Sequence, residues 1–174
     1  MINNNNIFNN LFKISKSLLF FVLLFCLSNF QSSLSFFSIF EVSTPNLISI
    51  VIYLCIVRLN TNPSNTILFF TGFFHDIMIG DNIGTTSIFL ILFKYLTESI
   101  ILDKINKKNQ EEWIYFTTIF IFSFSIIFLF NLTINLSVPQ LSPIFFHVGI
   151  TLILFPIINI GINIFSFVTQ LIKS

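Results

Sequence analysis

The chain has 174 residues, of which 55% are hydrophobic and only 9% are charged. Soluble domains carry about 25% charged residues, so this composition excludes an ordinary soluble domain and indicates a membrane protein. The formal net charge of +1 leaves no basic surface for nucleic acid. We therefore expect the lipid bilayer and other proteins, not nucleic acid, as the partners of the chain.

Long apolar runs predict an all-α, polytopic membrane protein with about six transmembrane helices. Because the runs are long and continuous, helices are the expected spanning element. The predicted spans cover residues 17–37, 45–59, 65–79, 84–102, 113–136 and 144–169. Residues 1–16 are then an Asn-rich cytoplasmic tail, residues 17–169 form the six-helix transmembrane domain, and residues 170–174 are a cytoplasmic end.

The second and third predicted spans are short for a bilayer. Each has about 15 residues, which at a rise of about 1.5 Å per residue cover roughly 22 Å of a hydrocarbon core of about 30 Å. We therefore expect these two segments to thin the bilayer, to draw in polar flanking residues, or to re-enter on the same side.

Basic residues set the predicted orientation, since Lys and Arg in short loops stay on the cytoplasmic side of a membrane. In the six-span arrangement all but one fall on the same side, and they are Lys13, Lys16, Arg58, Lys104, Lys107, Lys108 and Lys173. Both chain termini are therefore predicted to be cytoplasmic. The exception is Lys94 within the fourth span, for which Glu98 at i+4 is the expected partner.

An acidic residue interrupts the third apolar span in the pattern Gly72-x-x-x-Asp76-x-x-x-Gly80-x-x-x-Gly84. A carboxyl group in hydrocarbon is costly and needs a partner or a function. Gly72, Asp76 and Gly80 lie on one helical face, where a neighbouring backbone has room to approach closely. We expect Asp76 to bond His147 or to cap a backbone amide of a neighbouring helix, the alternative being solvation at the outer interface.

Two prolines have structural explanations of their own. Thr44 is a good N-cap and Pro45 at the first helical position loses no hydrogen bond, so Asn46 is either a local capping group or a recognition residue. Pro156 lies inside the sixth span, where it removes one helical donor and frees the carbonyl near Leu152. A kink is therefore expected at this position.

The sequence carries no pattern that predicts a metal site, a cofactor or a catalytic centre. His75 and His147 lie on different spans, and no carboxylate beyond Asp76 accompanies them. Cys26 and Cys55 are isolated in apolar spans, and phosphate-loop and nucleophile motifs are missing from the sequence. We therefore expect no cofactor, no metal and no enzymatic activity.

Several of these residues together resemble the MreD family of rod-shape membrane proteins. The resemblance is carried by Thr44-Pro45-Asn46 at the start of an apolar span, by Asn62-Pro63, by the Gly72 to Gly84 pattern, and by Pro156 in a late span. The chain length, the six-span layout and the basic final residues are also similar to that family.

The resemblance implies a non-enzymatic scaffold of the cell-elongation machinery in the bacterial cytoplasmic (inner) membrane. It implies that the chain couples cytoplasmic MreB filaments and the bitopic protein MreC to peptidoglycan synthesis by RodA and its partner transpeptidase. The residues expected to pack helices or to contact these partners are Pro45, Asn46, Gly72, Asp76, Gly80, Gly84, His147 and Pro156.

The alternative function is a substrate-capturing membrane subunit, similar to the vitamin-binding components of energy-coupling transporters. This hypothesis predicts an outward-facing pocket in which polar and aromatic groups converge on a ligand. The candidate residues are His75, Asp76, Trp113, Tyr115 and His147. Trp113 and Tyr115, at the cytoplasmic end of the fifth span, are also explained by an interfacial aromatic belt.

Overall fold

The structure, a computed structural model, describes residues 4–37, 40, 43–59, 61–80, 82–102, 110–135 and 141–173. Every regular element in these ranges is helical, which confirms the predicted all-α fold. The helices are α1 (Asn4–Ser33), α2 (Leu47–Arg58), α3 (Asn65–Ile79), α4 (Thr85–Leu102), α5 (Gln110–Asn135) and α6 (Leu141–Lys173). A short 3-10 turn, Leu34–Phe36, follows α1.

Among the described residues, three helices contain segments that are long and apolar enough to cross a membrane. These segments are Ser17–Phe36, which runs from α1 through the 3-10 turn, Glu112–Thr133 in α5 and Ser142–Ile162 in α6. The helices α2 and α3 are apolar but shorter, with 12 and 15 residues, so α2 covers only about 18 Å at helical rise. The structure therefore shows an all-helical chain with three helices that could span a membrane by length and apolarity, while six full crossings remain a prediction.

The helix bounds agree best with the predicted spans in the middle of the chain. α3 covers the predicted segment 65–79 without any difference. α1 begins at Asn4, so the helix continues through most of the segment predicted as an Asn-rich tail. α6 likewise extends beyond the predicted span at both ends, from Leu141 to Lys173.

The start of α2 differs from the sequence prediction. The N-cap is Asn46, whose side chain accepts a hydrogen bond from the backbone N–H of Ser49 at 3.1 Å, and not Thr44. Pro45 consequently precedes the cap instead of occupying the first helical position, and its carbonyl accepts from Leu47 N–H at 3.1 Å. Asn is among the strongest N-cap residues, which explains why it fixes the boundary.

Contacts between the helices show that successive helices run in opposite directions. At one side of the bundle, α1, α3 and α5 finish, and α2, α4 and α6 begin. We call this side the cavity end, because a cavity opens there. The opposite side, where α2 finishes and α5 begins, is the ion-pair end, since Arg58 of α2 and Glu112 of α5 are joined there at 2.9 Å.

The core lies around α2 and combines buried Leu and Ile side chains with a cluster of aromatic rings. Tyr53 of α2 is fully buried and makes edge-to-face contacts with Phe116 of α5 and Phe155 of α6, with ring centroids 5.3 and 5.4 Å apart. Phe93 of α4 and Phe120 of α5 extend this cluster. The core therefore joins α2, α4, α5 and α6 through interlocking rings.

Candidate functional site

The helices α3 and α4 form a hairpin whose backbones nearly touch at Gly72. A Cβ atom added to Gly72 would overlap the backbone nitrogen and Cα of Ser87 in α4. The hydroxyl of Ser87 in turn donates a hydrogen bond to the carbonyl of Phe69 at 2.8 Å. The close backbone approach predicted for this helical face is therefore confirmed at Gly72.

Asp76 caps the amino-terminal end of α4 from its position on α3. Its side chain is fully buried, and Oδ2 accepts a hydrogen bond from Gly84 N–H at 2.7 Å. Both carboxyl oxygens also lie 3.3 Å from the backbone nitrogen of Thr86. Because the first N–H groups of a helix lack intrahelical partners and carry partial positive charge, a carboxylate is well placed there.

This geometry decides among the sequence expectations for Asp76. The hypothesis that it caps a backbone amide of a neighbouring helix is confirmed by its bonds to Gly84 and Thr86. A bond to His147 is wrong, because the hydrogen bonds of the Asp76 side chain go to Gly84 and Thr86, while Nδ1 of His147 lies 2.6 Å from the carbonyl of Thr44. Solvation at the interface is also wrong, since none of the Asp76 side chain is exposed.

The two following glycines shape the turn between α3 and α4. Gly80 ends α3 with φ of 79° and ψ of 22°, and its N–H donates to the carbonyl of Asp76 at 2.9 Å. Gly84 has φ of 96°. Both values lie in the left-handed region that glycine adopts without strain. The expectation that Gly80 belongs to a closely packed face is wrong, because a Cβ there would meet no atom within 4 Å.

Asn46 links the start of α2 to the start of α6. Its backbone N–H donates to the hydroxyl of Thr151 at 2.9 Å, and that hydroxyl donates to the carbonyl of His147 at 2.7 Å. Together with the contact between His147 and Thr44, these bonds fix residues 44–46 against α6. Of the two expectations for Asn46, local capping is confirmed, and the residue is mostly buried within the chain.

Gln31, near the end of α1, ties three helices together and was missed by the sequence analysis. It is 3% exposed, and its carbonyl oxygen Oε1 accepts from Leu47 N–H at 3.0 Å. Its amide nitrogen Nε2 lies 3.3 Å from Nε2 of His75 on α3. A lone Gln late in a long apolar helix was the only signal, and that signal does not identify its partners.

A cavity of about 970 Å³ opens between these elements at the cavity end. Its polar lining includes Asn29, Gln31, Asn46, His75, Thr85, Thr86 and His147, and its apolar wall includes Ile48, Phe89, Phe124 and Ile127. The transporter-subunit hypothesis predicted such a pocket. Of its five candidate residues, His75 and His147 are among the described lining residues, whereas Asp76, Trp113 and Tyr115 are not.

The ion-pair end carries a second polar cluster that sequence analysis did not find. Oε2 of Glu112 accepts from Arg58 at 2.9 Å and from the amide of Asn159 at 3.4 Å. The hydroxyl of Tyr53 donates to the backbone carbonyl of Glu112 at 3.0 Å. The bonded residues are 47 to 59 positions apart in the chain, so only the tertiary fold brings α2, α5 and α6 to this point.

Pro156 acts through the carbonyl that it leaves without a helical donor. The indole N–H of Trp113 on α5 donates to the carbonyl of Leu152, four residues before the proline, at 3.3 Å. The predicted freed carbonyl therefore finds its partner on the neighbouring helix. α6 is assigned as one helix from Leu141 to Lys173 with Pro156 inside it, and the expected kink stays a prediction.

Lys94 lies in a groove formed by α4 and the first residue of α3. Its Nζ donates to Oδ1 of Asn65 at 2.7 Å and lies 3.8 Å from Oε1 of Glu98, so the expected i+4 partner is confirmed and a nearer one is added. The groove has a volume of about 410 Å³. Its lining residues are Asn65, Ile88, Ile91, Leu92, Lys94, Tyr95 and Glu98.

No protein-family model, no curated protein and no solved structure matches this chain. The resemblance to MreD proteins therefore stays a prediction that rests on the quoted residues.

Proposed function

We propose that the chain is a non-enzymatic scaffold in the bacterial cytoplasmic membrane, where it serves the cell-elongation machinery. In this proposal both termini are cytoplasmic, and six membrane passages hold the chain in place. It couples MreB filaments and an MreC-like bitopic protein to peptidoglycan synthesis by RodA and its partner transpeptidase. The proposal is supported by the resemblance of residues 44–46, 62–63 and 72–84 to MreD proteins, and by one structural observation on α4.

That observation is the group of polar side chains in the α4 groove. Charged side chains on a membrane helix are costly and usually mark a functional contact. Lys94 is 8% exposed and is held by Asn65, whereas Oε1 of Glu98 is buried and receives no hydrogen bond from any described residue. The Glu98 side chain as a whole is 24% exposed, so a partner helix with a hydrogen-bond donor at this level contacts its accessible part and covers the charged pair.

The apolar residues of the groove have the spacing of a helix-docking face. Ile88, Ile91, Leu92 and Tyr95 recur at intervals of three and four residues along α4, so they lie on one side of it. Tyr95 is 67% exposed and Ile88 is 47% exposed. We therefore assign this face to the single transmembrane helix of the MreC-like partner, since helix faces are the surfaces that a chain within the bilayer offers.

The motif residues support this assignment indirectly. Gly72 and Asp76 are buried inside the chain, so neither offers a surface to a partner. Gly72 allows α3 to lie against α4, and Asp76 fixes the first turn of α4. In the proposal, Gly72 and Asp76 determine the position of α4 against α3, and α4 carries the surface that contacts the partner.

Co-purification with the MreC-like protein tests the proposal. The variants Lys94→Met and Glu98→Gln keep the side-chain length and remove the charge, and we expect each to reduce recovery of the partner at least fivefold and to impair rod shape. The Ile153→Ala variant is the matched control, because Ile153 is 66% exposed on α6 away from the groove. Unchanged recovery and normal rods in the two charge variants, with folding confirmed by gel filtration, would contradict the scaffold function.

A further inference from the structure

We propose that the cavity at the cavity end binds an uncharged small molecule that presents both a hydrogen-bond donor and a hydrogen-bond acceptor, such as a cyclic amide. This binding activity goes beyond the proposed scaffold function. The cavity and the α4 groove have no described lining residue in common. The polar residues of the groove are Asn65 at the start of α3 and Lys94 and Glu98 in the second half of α4. The cavity has the size of a ligand site, and hydrogen bonds hold two of its lining residues, Asn46 and His147, in place.

The size and the composition of the cavity suit a small organic molecule. Its volume of about 970 Å³ lies at the upper end of the range of about 300–1,000 Å³ that is typical of ligand sites. The rings of Phe89 and Phe124 supply an apolar wall, and amide, hydroxyl and imidazole groups face them. No Asp, Glu, Lys or Arg is among the described residues that line it.

The lack of charged groups in this lining selects against charged ligands. An ion that entered the cavity would lose hydration without gaining an opposite charge, which is strongly unfavourable. Asp76, the nearest acidic residue on α3, does not line the described cavity, and its oxygens are occupied by the N–H groups of Gly84 and Thr86. The uncharged polar groups among the described lining residues therefore favour an uncharged ligand.

His147 supplies a hydrogen-bond acceptor of fixed position. Its Nδ1 lies 2.6 Å from the carbonyl oxygen of Thr44, and because a carbonyl only accepts, Nδ1 must carry the proton. In the uncharged imidazole, Nε2 then has a free lone pair. No described residue forms a hydrogen bond with this nitrogen, and the ring is held with its centroid 5.6 Å from that of Phe124.

Asn46 supplies a hydrogen-bond donor close in the fold to that acceptor. Its Oδ1 is occupied by Ser49 N–H at 3.1 Å, so the side-chain amide is oriented and Nδ2 is left as a donor. No described residue accepts from Nδ2, although Asn46 is only 9% exposed. The backbone bond from Asn46 to Thr151, whose hydroxyl donates to the carbonyl of His147, keeps these two lining residues of the cavity next to each other.

A molecule with neighbouring N–H and C=O groups matches this pair. Its N–H donates to Nε2 of His147 and its C=O accepts from Nδ2 of Asn46, while its ring lies against Phe89 and Phe124. Both protein groups are held by a second hydrogen bond before any ligand arrives, so little side-chain freedom is lost on binding.

Ligand-observed NMR on the purified full chain in lipid nanodiscs tests this inference. The probes are nicotinamide, uracil and 2-piperidone, with nicotinate and orotate as charged counterparts. We expect at least one uncharged probe to bind with a millimolar or lower Kd, and the charged counterparts to bind at least tenfold more weakly. Failure of all three uncharged probes to bind the folded chain at 5 mM, or equal binding of the charged ones, overturns the inference.

Two variants locate the binding in the cavity. Asn46→Asp keeps the oxygen that caps α2 and removes the donor, and His147→Phe keeps the ring beside Phe124 and removes the acceptor. We expect each to weaken probe binding at least tenfold, with Ile153→Ala as the control that leaves it unchanged. If Asn46→Asp, which preserves the cap, has an unchanged thermal unfolding midpoint and unchanged probe binding, the assignment is wrong.

The same samples separate this inference from the scaffold function. Lys94→Met is expected to lose the MreC-like partner and to keep probe binding, whereas Asn46→Asp is expected to do the reverse. If the MreC-like protein competes with every probe for the site formed by Asn46 and His147 and displaces it, the cavity is a protein contact and the inference is overturned.

Discussion

The hairpins α3–α4 and α5–α6 are both antiparallel pairs of consecutive helices, but they are held together in opposite ways. α3 and α4 approach at backbone distance, because Gly72 lacks a side chain where Ser87 lies against it. α5 and α6 are kept further apart by rings, with Phe116 and Phe155 stacked at 4.2 Å and 9° between their planes. The first pair depends on an absent side chain, and the second depends on large side chains that are present.

The difference shows how helix pairs are stabilised when lipid is the solvent. Apolar side chains gain little hydrophobic free energy by leaving lipid for a helix interface, so packing and hydrogen bonds decide the association. In α3–α4 the stabilising terms are backbone contact and the Asp76 cap. In α5–α6 they are ring contacts and the bond from Trp113 to the Leu152 carbonyl. Each pair is therefore sensitive to a different kind of substitution.

The largest effect is expected from adding a methyl group to the first hairpin. Gly72→Ala places a Cβ against the backbone nitrogen and Cα of Ser87, so the two helices must separate. We expect a loss of about 3 kcal/mol of unfolding free energy, at the upper end for overpacked sites. SDS-induced unfolding in mixed micelles measures it.

Gly149→Ala in α6 is the matched control for this substitution. A Cβ at Gly149 meets no atom within 4 Å, and alanine is favoured over glycine within a helix by up to about 1 kcal/mol. We therefore expect the control to be neutral or slightly stabilising. Equal effects of the two variants would show that the close contact between α3 and α4 does not exist.

The next largest effect is expected at the cap of α4. Asp76→Ala leaves the N–H groups of Gly84 and Thr86 without an acceptor in a buried site, which costs about 2–3 kcal/mol. Asp76→Asn keeps an acceptor oxygen and loses the charge, so we expect about half of that loss. Measured by thermal unfolding in detergent, Asp76→Ala is expected to be less stable than Asp76→Asn, and Asp76→Asn less stable than the wild type. A larger loss of stability in Asp76→Asn than in Asp76→Ala contradicts the capping role.

Removing a ring tests the second hairpin in the opposite direction. Phe155→Ala deletes the stacking partner of Phe116 and an edge contact with Tyr53, and the resulting cavity costs about 2 kcal/mol. Phe146→Ala on the same helix is the control, since Phe146 is 55% exposed and we expect little change. Similar losses in both variants would mean that lipid contact, and not ring packing, holds α6.

Sequence reasoning predicted the parts of this molecule that depend on local patterns. The bounds of α3, the close approach at Gly72 and the capping role of Asp76 follow from residue spacing within about a dozen positions. Gly80 and the start of α2 were misplaced, because turn formation by glycine and capping by Asn46 compete with continued helix. These two errors concern which of several favourable local geometries is adopted.

The contacts that span the chain were beyond reach of the sequence. Gln31 meets His75 across 44 positions, and Arg58 meets Glu112 across 54. Nothing in the spacing of a single helix selects such partners, because they depend on which helices become neighbours and at what height. The cavity belongs to the same category, since its walls come from every helix of the bundle.

The smallest expected effect concerns the hydrogen bond that compensates for Pro156. Trp113→Phe keeps an aromatic ring and removes the N–H that donates to the Leu152 carbonyl, and we expect a loss of about 0.6 kcal/mol, the usual size of such a bond within a membrane. The diagnostic result comes from combining it with Pro156→Ala, which restores a backbone N–H at position 156 for that same carbonyl. In this background Trp113→Phe should cost nothing, because the carbonyl already has its helical donor. An equal cost in both backgrounds, measured by SDS unfolding, would mean that the indole contributes by its position near the membrane surface and not by completing the helix that proline interrupts.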